Sequence, residues 1–222
     1  MADISIRFDT VAFDLDGTLA DTAPDLCASL NHTLTALGRP TVPAESLRHM
    51  VGHGARALIV NGLAATGGMD EALVERGLPI FLDHYAANLC VGTRPYGGVE
   101  EALAALDARG IRLAICTNKP EKLARDLVAR LGWDERFAAI VGGDTLPVRK
   151  PDPRALIETI ARAGGRVAAF VGDSIADTGA ARAAAVPCVA VTFGFSDRPA
   201  AELGADRLID HYDQLIPALA EL

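Results

Sequence analysis

The chain has 222 residues, half of them apolar, enough to bury a sizeable core and a length between one ordinary domain and two. A formal net charge of −8 leaves no long-range positive field to draw in nucleic acid or an anionic membrane, so any anion has to be held by local groups. No stretch approaches about 18 uninterrupted apolar residues, and Met1 to Arg7 lacks the basic and apolar regions of a signal peptide, so a soluble, cytoplasmic protein is expected.

In chain order, the first strand-like run is Thr10 to Phe13. From about Ala20 to Leu89 the periodicity is helical (Leu26, Leu30, Leu34, Leu37, then Leu58, Leu63, Leu73) with no convincing strand. This predicts a helical insertion over residues 20–91. Its start, Thr22-Ala23-Pro24-Asp25, combines a capping residue, an early proline and an acid three positions on. Pro79 is expected to kink or split the last helix of the insertion, and Gly92 to Gly98 reads as a hinge. Beyond it, runs at Leu113 to Cys116, Ala138 to Val141, Ala168 to Val171 and Cys188 to Val191 alternate with helical spacings such as Leu123, Leu127 and Leu131. Such alternation predicts an α/β, Rossmann-like parallel sheet with helices on both faces, formed by residues 1–19 and 92–222. Residues 197–222 read as a final strand and helix. The cysteines, Cys27, Cys90, Cys116 and Cys188, lack a Cys-x-x-Cys pair or a spaced histidine and read as reduced core residues.

Each strand run ends in polar groups. The first ends in Asp14-Leu15-Asp16-Gly17-Thr18, where two acids two apart share one face of an extended chain and repel unless a cation or shared proton relieves them. The second ends in Thr117-Asn118, a hydroxyl followed by an N–H near a helix start, and the third leads through Gly142-Gly143-Asp144 to Lys150-Pro151. The fourth ends in Gly172-Asp173-Ser174-Ile175-Ala176-Asp177, two acids four apart that suit Mg2+, an ion that needs few protein carboxylates. Alone, each reads as an ordinary turn, cap or surface lysine. Ligand sites of open parallel sheets lie beyond the carboxyl ends of the strands, so all four are expected on one rim.

The order Asp14-x-Asp16-Gly17-Thr18, Thr117-Asn118, Lys150-Pro151, Gly172-Asp173-x-x-x-Asp177 resembles the haloacid dehalogenase superfamily over essentially the whole chain. The insertion is similar to that superfamily's C1 cap domain. Thr117-Asn118-Lys119-Pro120, Gly142-Gly143-Asp144 and Gly172-Asp173-Ser174 resemble the bacterial phosphoglycolate phosphatases; Ala176 departs from the polar residue, often Asn, expected there. The resemblance implies Asp14 as nucleophile, forming an aspartyl-phosphate, and Asp16 as general acid and base. It implies Mg2+ on the Asp14 carboxylate, the Asp16 carbonyl and Asp173, with Asp177 supporting, and Thr117, Asn118 and Lys150 on the phosphoryl oxygens. In related enzymes a cap loop meets the leaving group; here that loop is Val51 to Arg56, making His53 and Arg56 candidates for specificity, with Arg56 able to pair with a carboxylate. His32, His49, His84 and His211 read as surface or helix-packing residues and Trp133 as a packing anchor.

The expected partner is a small phosphorylated metabolite, most simply 2-phosphoglycolate, with no nucleic acid or membrane, bound by a monomer or homodimer. N-acetylmuramic acid 6-phosphate or pyrophosphate would suit the same machinery, and Thr18 argues against a sugar phosphomutase, which usually carries valine there. A signalling receiver lacks both the second acid after the phosphoacceptor and the insertion. A non-catalytic phosphate-binding protein would be free to lose Asp14, Asp16 or Lys150, all of which are present.

Overall fold

The computed structural model describes residues 5–48, 50–196 and 198–222, so residues 1–4, His49 and Asp197, on which parts of the sequence reading fall, lie outside the described residues. The chain starts with β1 (Thr10–Phe13) and β2 (Ala20–Asp21), followed by α1 (Ala23–Ala36), α2 (Ala44–Leu47), α3 (Ala55–Ala65) and α4 (Glu71–Ala87). It returns through β3 (Arg94–Pro95) to α5 (Val99–Asp107), β4 (Arg112–Cys116), α6 (Glu121–Arg130), β5 (Ala139–Val141) and α7 (Pro153–Arg162). The last elements are β6 (Ala168–Gly172), α8 (Ile175–Ala183), β7 (Cys188–Val191), β8 (Arg207–Ile209) and α9 (Leu215–Ala220).

Six strands form one sheet in the order β5-β4-β1-β6-β7-β8, and every pairing in it is parallel. The sheet is buried on both faces because successive side chains of a strand point to opposite sides. Val11 and Phe13 of β1 join the larger apolar cluster, whereas Ala12 joins a second one with Ala114, Phe170 and Leu156. Cys27, Cys116 and Cys188 are buried free thiols, and Cys90 is a partly buried one. Among the described residues no helix is long and apolar enough to cross a membrane.

In the insertion, α1 packs on α4 and on α3 through two glycines that let backbones come close. A Cβ on Gly62 would stand 2.8 Å from Leu30 Cδ1, and one on Gly77 would stand 3.0 Å from Leu37 Cδ1. The expected split at Pro79 does not occur: α4 runs unbroken across it, with Val74, Phe81 and Tyr85 buried along its length. Burial of that face outweighs the missing backbone hydrogen bond.

The start of α1 is stabilised differently from the capping signature. Thr22 makes no side-chain capping bond, and the Asp25 carboxylate instead accepts from Gly92 N (2.7 Å), Thr93 N (2.9 Å) and Thr93 Oγ1 (2.7 Å). Together with the two-residue antiparallel ladder of β2 and β3, this ties the two chain crossings of the neck side by side. Those two strands are too short for a periodicity to register in sequence. The chain after β8 forms a short turn of 3-10 helix and then α9, as expected.

Candidate active site

Parallel register brings the strand ends together. Phe13 of β1 pairs with Ile115 of β4 on one side and Val171 of β6 on the other, so Asp14, Thr117 and Asp173 emerge at the same rim. The strand order turns around β1, since the chain proceeds to β4 and β5 on one side and then crosses to β6, β7 and β8. Crevices at such reversals are where open α/β sheets bind ligands. Gly17 makes the tight turn after β1 at φ +83, and a Cβ there would lie 2.5 Å from Asp173 Oδ2.

Lys150 is the electrostatic hub of the rim. Its buried ammonium lies 2.6 Å from Asp177 Oδ1 and 2.9 Å from Asp14 Oδ1. The bland reading of Lys150 as a surface residue is therefore excluded by burial. Asp177 serves two ends at once: its Oδ2 accepts from Ser174 N (2.9 Å) and Ser174 Oγ (2.6 Å), closing a capping box on α8, while Oδ1 anchors Lys150. Asp173 accepts from Thr18 Oγ1 (2.8 Å) and Phe195 N (2.6 Å). Neither partner was singled out in sequence for Asp173, because both contacts arise only from chain reversal.

Burial pushes the Asp14 carboxyl up to about 6; Lys150 pulls against this, and the neighbouring Asp177 and Asp16 charges add to it. Burial, with Asp177 and Asp14 nearby, also holds Asp173 well above the usual carboxylate range. Burial alone would depress Lys150, but Asp14 and Asp177 hold it well above an ordinary lysine. Lys150 thus pairs with two of three carboxylates that each offer an oxygen within 4.8 Å of the others. Asp14 Oδ1 is buried without a hydrogen bond, its contact with Lys150 falling outside hydrogen-bond angles. Hard, under-neutralised oxygens in this number fit a divalent cation, so the three aspartates could hold a metal ion.

On the other side of Asp14, Thr117 Oγ1 accepts from Lys119 N at 3.2 Å. Asn118 Nδ2 donates to Lys150 O (3.1 Å) and, across to the insertion, to Gly52 O (3.2 Å), while Asn118 Oδ1 is buried without a partner. Asp144 caps α6 by accepting from Glu121 N at 2.7 Å.

The cap-loop candidates do not meet these groups. A cavity of about 40 Å³ between rim and insertion is bordered by Asp14, Asp16, Thr117, Asn118, Gly52 and Tyr85, among others, but by neither His53 nor Arg56. His53 borders a separate cavity with Ser174 and Phe195. Arg56 is partly exposed and engaged by Glu71 and by Glu75 (3.0 Å), with its Nη1 covered and unpartnered. The cation at the cavity is Lys119, whose Nζ lies 2.8 Å and 3.1 Å from the two oxygens of Asp16 and donates to the Tyr85 hydroxyl of α4. Sequence reading quoted Lys119 as part of a motif without giving it a role, and nothing distinguished Tyr85 from its packing neighbours Val74 and Phe81. The other residues read as packing groups behave so: His84 stacks on His32 at 4.2 Å and meets Ser29, and the buried Trp133 donates to Glu100 at 2.6 Å.

Comparison with known proteins bears on the family and the fold. A family model described as haloacid dehalogenase-like hydrolase matches residues 8–185. A protein of Mesorhizobium japonicum named phosphoglycolate phosphatase is 49% identical over 214 residues, covering 95% of this chain and 94% of that one. One of the same name from Agrobacterium fabrum is 49% identical over 212 residues, covering 94% and 91%. A crystal structure from Haemophilus somnus 129PT, titled a predicted phosphoglycolate phosphatase, aligns with a TM-score of 0.89 at 31% identity over 95% of this chain and 97% of that one. A family model that spans most of the chain, and relatives 49% identical over nearly their whole length, show that the chain belongs to the haloacid dehalogenase-like hydrolase family.

Proposed function

We propose that the protein is a Mg2+-dependent phosphatase that hydrolyses 2-phosphoglycolate to glycolate and phosphate through an aspartyl-phosphate on Asp14. The observation that carries the chemistry is the buried group of Asp14, Asp173 and Asp177, two of which pair with the ammonium of Lys150. The substrate reading is supported by the names of the relatives and by the size of the cavity, which has room for about three or four waters and so for a small leaving group.

In this reading an Asp14 carboxylate oxygen forms the new bond to phosphorus while the ester P–O bond breaks, and Asp16 gives its proton to the departing alkoxide. Asp16 then takes a proton from water as the water oxygen bonds to phosphorus, and the acyl-phosphate P–O bond breaks to return Asp14. Mg2+, held by Asp14 and Asp173 with the Asp16 carbonyl, would supply charge neutralisation to the phosphoryl oxygens and keep Asp14 ionised. Asp177 has both oxygens engaged and suits a supporting place beside it. Thr117, Asn118 and Lys150 would hold the remaining phosphoryl oxygens, so catalysis is chiefly positioning and electrostatics. Residues 20–91 act as the cap; Asn118 bonded to Gly52 and Lys119 to Tyr85 are the contacts that would report its closure.

The test is Mg2+-dependent phosphate release from 2-phosphoglycolate, N-acetylmuramic acid 6-phosphate, pyrophosphate and sugar phosphates, with the unaltered protein and Asp14→Asn. The expected result is the largest kcat/KM on 2-phosphoglycolate and a loss of about 10⁴-fold or more in the variant. A larger kcat/KM on another phosphate overturns the substrate; full activity in Asp14→Asn overturns the mechanism.

A further inference from the structure

Lys119 and Tyr85 are built more carefully than packing requires. The Lys119 side chain is 2% exposed, and its ammonium lies against Asp16 on one side and Tyr85 on the other, 4.4 Å from the centre of the phenol ring. The Tyr85 oxygen accepts from Lys119, which leaves the phenol hydrogen free to donate, and among the described residues no acceptor takes it. Burial holds the phenol well above the usual tyrosine range, so that hydrogen stays on the oxygen. The cavity therefore presents a desolvated ammonium, uncompensated once Asp16 carries the proton that the proposed mechanism gives to the leaving oxygen, and an unused O–H donor, one from the core and one from the insertion, beside walls formed by Leu26, Leu58 and Phe81. Apolar walls strengthen both groups toward an anion and give a neutral polar group little reason to enter.

Position supplies the rest of the argument. Asp16, which in the proposed mechanism faces the leaving oxygen, is 2.8 Å from Lys119. A carboxylate one methylene from the ester oxygen stays close to that oxygen, so a group that touches Asp16, as Lys119 does, can reach it. We propose that Lys119 and Tyr85 form the subsite that reads the carboxylate of the leaving group, the part left open once Arg56 is placed outside the cavity. This rests on the 2-phosphoglycolate reading above and assigns the specificity to a core lysine and a cap tyrosine instead of the Val51 to Arg56 loop.

The experiment compares kcat/KM on 2-phosphoglycolate and on ethyl phosphate, which replaces the carboxylate by a methyl group, in the unaltered protein, Lys119→Met and Tyr85→Phe. The ratio of the two is expected to fall about 100-fold in Lys119→Met and about 10-fold in Tyr85→Phe, as for loss of a charge-assisted and a neutral hydrogen bond. Lys119→Arg is expected to recover part of the ratio. If both substrates lose activity in parallel, so that the ratio is unchanged, Lys119 acts through Asp16 and the subsite is refuted. Competitive inhibition by glycolate, with ethanol as control, gives a reading in the unaltered protein that does not depend on a variant folding. Inhibition by glycolate no stronger than by ethanol also refutes the subsite. The proposed function fails separately, if the unaltered protein prefers another phosphate to 2-phosphoglycolate.

Discussion

Lys150 and Arg56 are both cations that the sequence marked for a substrate site, and they sit in opposite circumstances. Lys150 is buried at the sheet rim, where Asp14 from β1 and Asp177 from α8 converge on it from positions far apart in the chain. Arg56 stands on the insertion, partly exposed, and its charge is taken by Glu71 and Glu75 of the adjacent helix. At the rim, parallel register fixes where Asp14 emerges, and Lys150, carried by the turn between β5 and α7, is buried against it and Asp177. In the insertion the side chain is long, solvent competes, and a nearby acid on α4 captures it. A cation in an exposed loop is therefore weak evidence for a site, and a buried cation on which two acids converge is strong evidence.

The sharpest way to break this contrast is Lys150→Met. Removing the ammonium leaves Asp14 and Asp177 buried without it, so a loss of about 3–5 kcal/mol of stability is expected, with kcat down by roughly 10²- to 10³-fold. Denaturant unfolding and phosphate release check the two arms, and a variant as stable as the parent would remove Lys150 from its place at the centre.

Metal and pH come next. The folded pKa of Asp14, about 6, lies above its ordinary value of 3.8, so its contribution to stability is complete below about pH 4 and is lost as pH rises through about 6. Thermal melts in EDTA should show Tm declining from this source between pH 4 and 7. Mg2+ at about 100 times its pH 7.5 Kd should restore about 2.7 kcal/mol there, roughly 5–11 °C, and the same concentration should give a smaller gain at pH 5. Melts indifferent to Mg2+ at pH 7.5 would mean that the three aspartates do not hold it.

Asp25 tests the neck between the two regions. Asp25→Ala leaves two backbone N–H groups and the Thr93 hydroxyl without their acceptor and should cost about 2 kcal/mol, or roughly 4–8 °C in Tm. The smallest effect belongs to Arg56→Ala: its ion pairs are exposed, so less than about 1 kcal/mol is expected, with kcat/KM on 2-phosphoglycolate within about twofold. A loss above tenfold would return Arg56 to the substrate site and undo the contrast.

Local rules made some of the molecule legible. Short apolar runs marked the five principal strands within a residue or so at their ends, and alternation with helical spacing implied the parallel sheet. Asp14 and Asp173 stood out because strand ends in such a sheet share a rim, and Lys150 and Asp177 because they follow the next strand runs in the chain. Local rules failed where two distant segments share one residue. Asp25 looked like a helix-start acid but binds the hinge, and the Pro79 break was overruled by the buried face of α4.

The sequence by itself determined the fold class, because period and turn residues are local properties of the chain, and the same local properties are what point to a helical insertion and to polar side chains at the sheet rim. Tertiary structure alone decided which charges meet. It paired Asp177 with Lys150 while keeping its capping role, turned Arg56 toward Glu71 and Glu75, and buried Lys119 between Asp16 and Tyr85. The reason is physical: Coulomb energy and desolvation depend on distance and burial, and neither is written in the spacing of residues along the chain.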